Sequence, residues 1–329
     1  MDRATIRTLM LPGLLAKKLR SSRSIHTTSL RKFSQLNTTQ VLLEPVPESP
    51  GILCLSLNRP HSKNAISMQL LKEFKYCLET IRNDNSSVFM LTPPTNLHLI
   101  LGNSVRSLII RSSQPGSFCA GADLTERRTM TTTQVQTFLL DLRTMLSLLE
   151  NLPLPTIAAI DGPALGGGLE IGLACDLRIA AADVKKIGLP ETRLGIIPGA
   201  GGTQRATRLL GVAKAKDLIF TGRSLNSYEA KEIAKGVGFT GLGLIDYIAE
   251  PPQTAADRAV HLALEMLPSG KAPLAIRAAK LAISRASDLA LESGLDFENA
   301  CYQPLLGTKD RDEALLAFKE KRLPNFKGE

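Results

Sequence analysis

The chain of 329 residues has little of several residue types on which large classes of proteins depend. It contains no tryptophan and only 4% aromatic residues, so it offers few rings that could stack on nucleic-acid bases. Its four histidines are scattered, and we therefore expect neither a histidine metal site nor a Ser-His-Asp triad. Its five cysteines form no CxxC pair, which argues against a disulfide framework or a zinc site. No apolar run approaches the roughly 20 residues of a membrane-spanning helix, and we expect no membrane partner.

Two common motifs for nucleotide binding and nucleophilic catalysis, GxxxxGK(S/T) and GxSxG, are also absent. One GxGxxG match does occur, at 236–241. A dinucleotide fingerprint needs a strand before it and a helix after it. Here a helical pattern precedes the match and a strand-like stretch, 244–249, follows it, so the match does not indicate a dinucleotide site.

The formal net charge of +9 is concentrated at the N-terminus. Residues 1–34 carry eight basic side chains and one acidic side chain, so this segment accounts for +7 of the total. The segment is also rich in serine and threonine, with leucine and isoleucine interspersed, which is typical of a mitochondrial transit peptide. We predict cleavage between about residue 20 and residue 35 and a location in the mitochondrial matrix. The remaining charge of +2 is too small to indicate a nucleic-acid partner.

Beyond this leader, strand and helix patterns alternate and then give way to helices alone. Apolar runs predict strands at 51–57, 105–111 and 156–161, with helices between them. Beyond Gly202 the apolar spacing predicts helices near 203–220, 226–235, 254–267, 272–287 and 308–321. This order indicates an α/β fold, with a core over 45–250 and a C-terminal helical region over 251–329.

Two stretches, 87–104 and 234–242, interrupt a connection between a helix and the next strand. The first contains Pro93 and Pro94, which exclude a continuous helix. Removing it would leave a short connection of ordinary length. We interpret both stretches as surface insertions or as translated intron sequence, and sequencing the transcript distinguishes the two.

The chemistry of the sequence is concentrated at glycine-rich turns and two glutamates. Glu170 follows the triple glycine 166–168, where a strand gives way to a helix, and Glu191 follows Pro190. Backbone N–H groups at such a helix start favour a carbonyl oxygen that gains negative charge, and a second turn, 118–123, could supply another N–H. Two carboxyl groups on one water molecule could deliver a hydroxyl to one carbon and a proton to its neighbour. The pattern therefore points to an enzyme that acts on an activated acyl thioester.

These turns resemble those of the enoyl-CoA hydratase/isomerase (crotonase) superfamily. Three segments carry the resemblance: Phe118–Leu124, Asp161–Asp176 and Gly188–Arg205. It covers roughly 45–329 apart from the two interruptions. Within the family, Asn151–Gly162 and the ending Thr308–Glu329 are similar to the mitochondrial methylglutaconyl-CoA hydratase (AU-binding) branch. The resemblance implies a crotonase-like fold of repeated ββα turns, with a C-terminal helical region that assembles the chain into a homotrimer or homohexamer.

The resemblance also implies a role for individual residues. Glu170 would activate water for attack at C3, and Glu191 would supply the proton to C2. The N–H groups of Ala120 and Gly167 would form the oxyanion hole. Further substrate contacts would come from Gly121, Ala122, Asp123 and Gly168, and contacts to the CoA nucleotide from Phe318 and Lys321. No metal is implied, and no cofactor either, because coenzyme A is part of the substrate.

We therefore predict a hydro-lyase that adds water across the 2,3 double bond of an enoyl-CoA thioester, with 3-methylglutaconyl-CoA in leucine catabolism as the expected substrate. Such a substrate carries a second carboxylate and requires a cationic partner, which the sequence alone does not identify. A short-chain enoyl-CoA hydratase of fatty-acid β-oxidation is the alternative within this chemistry. RNA binding of the AU-binding type is the second alternative. The helix expected to carry it, Ser67–Arg82, has the charged residues Lys72, Glu73, Lys75, Glu79 and Arg82. These mixed charges do not form a basic patch, and we expect no nucleic-acid partner.

One departure from related sequences lies between Cys175 and Glu191, where the chain is one residue longer within 181–186. An extra residue there could displace Glu191 from its position, or a loop could absorb it. We expect a loop to absorb it, because the residues around Glu191 keep the pattern of the family.

Overall fold

The computed structural model describes residues 40–47, 49, 51–85, 105–234, 243–268 and 270–329. Its strands are β1 Val41–Pro45, β2 Ile52–Leu57, β3 Ser107–Ser112, β4 Thr156–Ile160, β5 Ala164–Leu165, β6 Leu177–Ala181, β7 Ile187–Gly188 and β8 Tyr247–Ala249. Six of them form one sheet in the order β1-β2-β3-β4-β6-β8. In this sheet β1 is antiparallel to β2, and every other pair of neighbours is parallel. The short strands β5 and β7 pair with each other in parallel.

Helices follow most of these strands along the chain. They are α1 Met68–Asn85, α2 Leu124–Arg127, α3 Thr132–Glu150, α4 Gly167–Ala174, α5 Gly202–Leu210, α6 Val212–Thr221, α7 Ser227–Glu232, α8 Ala255–Leu264, α9 Pro273–Arg285, α10 Leu291–Tyr302 and α11 Lys309–Glu320. Within the described ranges, no helix combines the length and the apolar character needed to cross a lipid bilayer.

The chain repeats one unit, in which a sheet strand is followed by a short extended segment and then by a helix. After β2, Ile66 bridges Ala122 before α1 begins, and after β3, Cys119 bridges Ala164 before α2 and α3. In the same way β4 leads through β5 into α4, and β6 leads through β7 toward α5. The extended segments of successive units pair with one another and form a second small layer. This is the arrangement of repeated ββα turns expected from the sequence.

Both faces of the six-stranded sheet are covered, and all six residues of β2 are buried. Leu53 and Leu55 of β2 belong to a cluster shared with α1 and α3, whereas Ile52 and Cys54 belong to a cluster shared with α8. This alternation is the two-residue period of a strand, and burial of both faces explains why the parallel strands are continuous apolar runs in the sequence. By these contacts α8 belongs to the core, although its residues fall within the C-terminal region, 251–329, expected from the sequence.

Three elements differ from the expectation. The helix expected over 203–220 is two helices, because Gly211 lies between them with φ of +79°. Helix α10, which buries none of its residues in this chain, is not among the predicted helices. Strand β1 is an edge strand with only two buried residues, Val41 and Leu43, before it ends at Pro45. Such a short alternation is too weak a pattern to predict a strand.

Several predicted segments lie outside the described residues. They are the leader over 1–34, the GxGxxG match at 236–241, the stretch 87–104, and all of 234–242 except Ala234. The C-terminal helices are described, and neither α9 nor α10 buries a residue in this chain. The predicted role of this region in an oligomer stays a prediction.

Candidate active site

Glu170 lies in the first turn of α4, after the glycine-rich turn that follows β5. It is only 3% exposed. Its Oε1 accepts hydrogen bonds from the backbone N–H groups of Ala200, at 2.9 Å, and Gly202, at 2.7 Å. Both donors belong to the turn that leads into α5. Because two N–H groups donate to the same carboxylate oxygen, they stabilise the charged form of this acid.

Glu191 begins a short 3₁₀ helix, Glu191–Leu194, directly after Pro190. It is 8% exposed, and its Oε2 is buried without a hydrogen-bond partner among the described residues. Its Oε1 packs on Gly166, since a Cβ added to that glycine would lie 3.0 Å from this oxygen. A buried carboxyl oxygen without a donor favours the neutral form of the acid.

The residues 182–186 connect β6 to β7 without regular structure. This is the segment in which an extra residue could have displaced Glu191. Glu191 nevertheless lines the same cavity as Glu170. This position of Glu191 is compatible with a loop that absorbs the extra residue, and the absorption itself stays a prediction.

Burial raises the pKa of both acids, but only the Glu170 carboxyl group receives two backbone hydrogen bonds that oppose this shift. Burial, with a smaller contribution from the charge of Glu170, raises the pKa of Glu191 to about 7. Burial also raises the pKa of Glu170, but the two backbone N–H groups that donate to it oppose this shift. Because the two acids interact, they titrate as a pair. The two backbone donors favour the charged form of Glu170, whereas a pKa of about 7 keeps Glu191 partly protonated at neutral pH.

The two glycine-rich turns touch each other beside these acids. The Leu165 N–H donates to the Cys119 carbonyl at 3.0 Å, and a Cβ added to Gly168 would overlap that carbonyl. Gly121 has φ of +95°, and a Cβ there would lie 2.9 Å from the Leu165 carbonyl oxygen and 3.4 Å from the nitrogen of Gly167. Glycine is required at both positions, because any side chain would separate the two turns.

The two predicted oxyanion donors, Gly167 and Ala120, both line the cavity that contains the acids. Gly167 is the first residue of α4, and no side chain in the described part of the chain caps this helix start. Its N–H is therefore the kind of free donor that binds an oxygen gaining negative charge. The Ala120 N–H instead donates to the Lys63 carbonyl at 3.0 Å. Ala120 would have to exchange this acceptor for the substrate, so its predicted role stays a prediction.

The residues predicted to contact the substrate divide into two groups. Gly121 and Ala122 line the cavity, and their contact with a substrate stays a prediction. Asp123 does not line it, because its carboxylate caps the start of α2 and pairs with Arg59 at 3.0 Å. Gly168 does not line it either, because it packs on the neighbouring turn. In this geometry the latter two residues shape the turn rather than face the cavity.

The two residues predicted to contact the CoA nucleotide lie at the end of α11. Phe318 is 86% exposed, and Lys321 follows the helix with φ of +55°. Neither residue lines the cavity of this chain. Their contact with the nucleotide stays a prediction.

The cavity beside the acids has a volume of about 490 Å³. Its apolar wall consists of Leu124, Val135, Phe138, Leu139, Leu142, Leu194, Ile196 and Ile197. Its ionisable groups are Glu170, Glu191 and two arginines, Arg127 and Arg143. Such a cavity can enclose an acyl chain and bring one of its carbon atoms between the two acids.

Four functional groups at this site are missed by reasoning from the sequence. The first two are the N–H donors of Ala200 and Gly202. Their glycine-rich segment predicts a turn, but it does not indicate that the turn donates hydrogen bonds to Glu170. The others are Arg127 and Arg143, which lie in helices at positions where a charged residue is typical of any exposed face. No sequence signal distinguishes them from other surface arginines.

Comparison with known proteins agrees with the geometry of the site. A family model described as enoyl-CoA hydratase/isomerase matches residues 95–329, which is more than half of the chain. The chain belongs to the enoyl-CoA hydratase/isomerase family. This confirms the family expected from the glycine-rich turns and the two glutamates.

Relatives in this family align over most of the chain. The chain is 52% identical over 281 residues to an enoyl-CoA isomerase/hydratase of Mycosarcoma maydis, which covers 85% of this chain and 94% of the relative. It is 46% identical over 285 residues to a mitochondrial methylglutaconyl-CoA hydratase of Mus musculus, which covers 86% of this chain and 81% of the relative. The crystal structure of an enoyl-CoA hydratase from Bacillus anthracis is similar with a TM-score of 0.75 at 40% identity, and the alignment covers 88% of this chain and 100% of that one. The crotonase-like fold is thereby confirmed.

Proposed function

We propose that this member of the enoyl-CoA hydratase/isomerase family adds water across the 2,3 double bond of an α,β-unsaturated acyl-CoA thioester. The proposal rests on the different surroundings of the two acids. Glu170 receives two backbone N–H groups and can hold a negative charge, whereas Glu191 has a buried oxygen without a partner among the described residues and a pKa raised to about 7, so it can still donate a proton near neutral pH. A base and an acid in opposite protonation states suit the addition of water. An isomerase that moves one proton between two carbons needs only one base.

The proposed reaction transfers one proton at each acid. The Glu170 carboxylate takes a proton from water while the oxygen of that water bonds to C3. The electron pair of the double bond shifts toward the thioester, whose oxygen gains negative charge beside the Gly167 N–H. The Glu191 carboxyl group then gives its proton to C2. Glu170 is left protonated and Glu191 charged, and proton exchange with solvent restores both.

The substrate that we propose is 3-methylglutaconyl-CoA, an intermediate in leucine catabolism. The 46% identical mouse relative is named for this hydration. The aliphatic side chains of the cavity wall can also pack against a branched methyl group. A short-chain enoyl-CoA hydratase of fatty-acid oxidation is the alternative, since a relative from Arabidopsis thaliana that is named a probable enoyl-CoA hydratase is also 46% identical.

Location and assembly are part of the same proposal. Relatives named as mitochondrial support a mitochondrial location, and the basic leader supports import into the matrix. Large apolar side chains on α9 and α10 support assembly into a homotrimer or homohexamer, because Ile283 is 72% and Leu291 79% exposed in the single chain. Phe318 and Lys321 could then approach the CoA nucleotide in a neighbouring subunit.

RNA binding, the second alternative, depends on the charged helix α1. Lys72 is exposed and Lys75 half-buried on this helix, while Glu73 is buried and accepts hydrogen bonds from the N–H groups of Gln40 and Val41. The exposed surface of α1 is therefore more basic than its sequence indicates. RNA binding stays the second alternative, which a mobility-shift titration at several salt concentrations can test.

The hydration assay tests the proposed function directly. Purified protein should hydrate crotonyl-CoA and 3-methylglutaconyl-CoA, and Glu170→Gln and Glu191→Gln should each lower kcat by about 10²- to 10⁴-fold. Both variants keep the shape of the side chain, so circular dichroism should show an unchanged fold. A folded wild-type protein that hydrates neither thioester, or variants that keep full activity, would contradict the proposal.

A further inference from the structure

Arg143 gives the cavity a positive charge that opposes the rise in the pKa of Glu170 but forms no ion pair with a described residue. It lies on α3 next to Leu142, and it lines the cavity together with Glu170. Its Nε donates to the Gly199 carbonyl at 2.6 Å. Its two Nη groups make no hydrogen bond or ion pair with any residue in the described ranges. The charged end of the side chain is therefore available to a ligand.

The acids that share an adjoining cavity with Arg143 already have partners. Arg143 also lines an adjoining cavity of about 440 Å³, whose acidic residues are Glu150, Asp176 and Asp288. The ion pairs of these acids are Glu150 with Arg205 at 2.7 Å, Asp176 with Lys280 at 2.7 Å, and Asp288 with Arg208 at 3.4 Å. Each of these three acids thus pairs with a cation other than Arg143. None of them neutralises the charge of Arg143.

A ligand with a second carboxylate needs such a cation in this cavity. The charge of Glu170 and the apolar wall both disfavour another negative charge there. In a methylglutaconyl group the second carboxylate lies two carbon–carbon bonds from C3, the carbon that receives water beside Glu170. Arg143 holds Gly199, and the next residue, Ala200, donates its N–H to Glu170 at 2.9 Å. The same loop thus connects Arg143 to the base, next to the carbon that receives water.

The other arginine of the cavity wall, Arg127, is engaged by an aromatic ring. Its guanidinium group lies 5.4 Å from the centroid of the Phe138 ring, a cation–π contact that covers one of its faces. Among the described residues, no hydrogen bond connects Arg127 to the segment 199–202, whose N–H groups donate to Glu170. The two arginines therefore make distinguishable predictions when each is replaced.

We propose that Arg143 is the specificity-determining residue that selects acyl groups ending in a second carboxylate. The inference rests on the proposed hydratase function and identifies its substrate class as dicarboxylic enoyl-CoA thioesters. Two Nη groups on a planar guanidinium match the two oxygens of a carboxylate, and such charge-assisted pairs are among the stronger hydrogen bonds in proteins.

The test compares ligands that differ only in the second carboxylate. Glutaryl-CoA and valeryl-CoA have acyl groups of equal carbon number, and only glutaryl-CoA has the terminal carboxylate. Their dissociation constants are measured by calorimetry on the full chain, and hydration of 3-methylglutaconyl-CoA and crotonyl-CoA is measured in parallel. Arg143→Gln keeps an N–H donor near the position of Nε for Gly199 and removes the charged end. Arg208→Gln removes the same charge from the adjoining cavity and serves as the matched control.

We expect Arg143→Gln to weaken glutaryl-CoA binding and to lower kcat/KM for 3-methylglutaconyl-CoA by about 10- to 100-fold. Valeryl-CoA binding and crotonyl-CoA hydration should lose at least about tenfold less than the dicarboxylic ligands, and Arg208→Gln should alter neither ratio. Equal losses for both classes of ligand would mean that Arg143 only positions the loop and would overturn the inference. A selective loss in Arg127→Gln, with Arg143→Gln unaffected, would overturn it as well. If the wild type hydrates neither thioester, the proposed function fails, while the ratio of the two dissociation constants still decides the role of Arg143.

Discussion

Replacing Glu191 by glutamine should show separately how burial of this acid affects the free energy of unfolding and how the acid contributes to hydration. Its pKa rises from an ordinary 4.5 to about 7 in the folded chain, so the folded state binds the proton more tightly than the unfolded state. Between these two pH values the folded state holds more protons, and the free energy of unfolding therefore falls as the pH rises. The shift corresponds to about 3 kcal/mol, which solvent screening reduces. Glutamine does not titrate and escapes this loss.

We expect the difference in the free energy of unfolding between Glu191→Gln and the wild type to change with pH. From pH 5 to pH 8, the free energy of unfolding of Glu191→Gln relative to the wild type should shift in favour of the variant by about 1–3 kcal/mol. Urea unfolding at several pH values measures it, and hydration of crotonyl-CoA should show the 10²- to 10⁴-fold loss expected for a missing general acid.

The matched control for this experiment is Glu265→Gln, whose side chain is 68% exposed in the wild type and which removes one negative charge from the surface. It tests whether a change in net charge alone shifts the stability. The reasoning is refuted if Glu191→Gln and the wild type lose stability in parallel between pH 5 and pH 8, or if the variant keeps the activity of the wild type.

The contact between the glycine-rich turns, the Arg59 pair and the catalytic acid give three more tests. Gly168→Ala should lower kcat/KM by more than about 100-fold and reduce the melting temperature, because the added methyl group overlaps a backbone carbonyl. Its control is Gly294→Ala, in open space on α10, which should not destabilise the chain in the same thermal scan. Asp123→Ala should cost about 1–2 kcal/mol in urea unfolding, since it removes a helix cap and the pair with Arg59, and an unchanged KM would show that this residue does not bind the substrate. In a pH–rate profile, kcat/KM should fall as the pH rises through about 7, where Glu191 loses the proton it must donate, and a profile that stays flat well above pH 7 would contradict its role as the acid.

The fold was largely predictable from the sequence because its periodic patterns are strong. The buried strands are continuous apolar runs, and the glycine-rich turns mark where each strand gives way to a helix. The exceptions are the exposed helix α10, the short edge strand β1, and a helix whose break depends on one glycine, Gly211. Burial of a strand leaves an apolar run that can be read in the sequence. The backbone angle at a single glycine leaves no such pattern.

The site was predictable in its residue types and less so in its partners. The glutamates and the turn glycines stand in recognisable patterns, whereas the acceptor that engages the Ala120 N–H, the Lys63 carbonyl, comes from a segment more than fifty residues away. Backbone groups carry no sequence signal, since every residue has the same N–H and C=O. Which of them face the site depends on how distant turns pack, and a single sequence does not specify that.

The roles of the two acids follow from their surroundings and not from their identity. Both are glutamates at the start of a helix, and both are almost completely buried. The turn before α5 supplies two N–H groups to Glu170, whereas Glu191 packs on Gly166 and leaves one oxygen without a donor. Each role therefore belongs to a position in the fold and not to a residue type, because the donors belong to the backbone. A change that reshapes the turn before α5 should therefore impair the base selectively, although it touches neither acid.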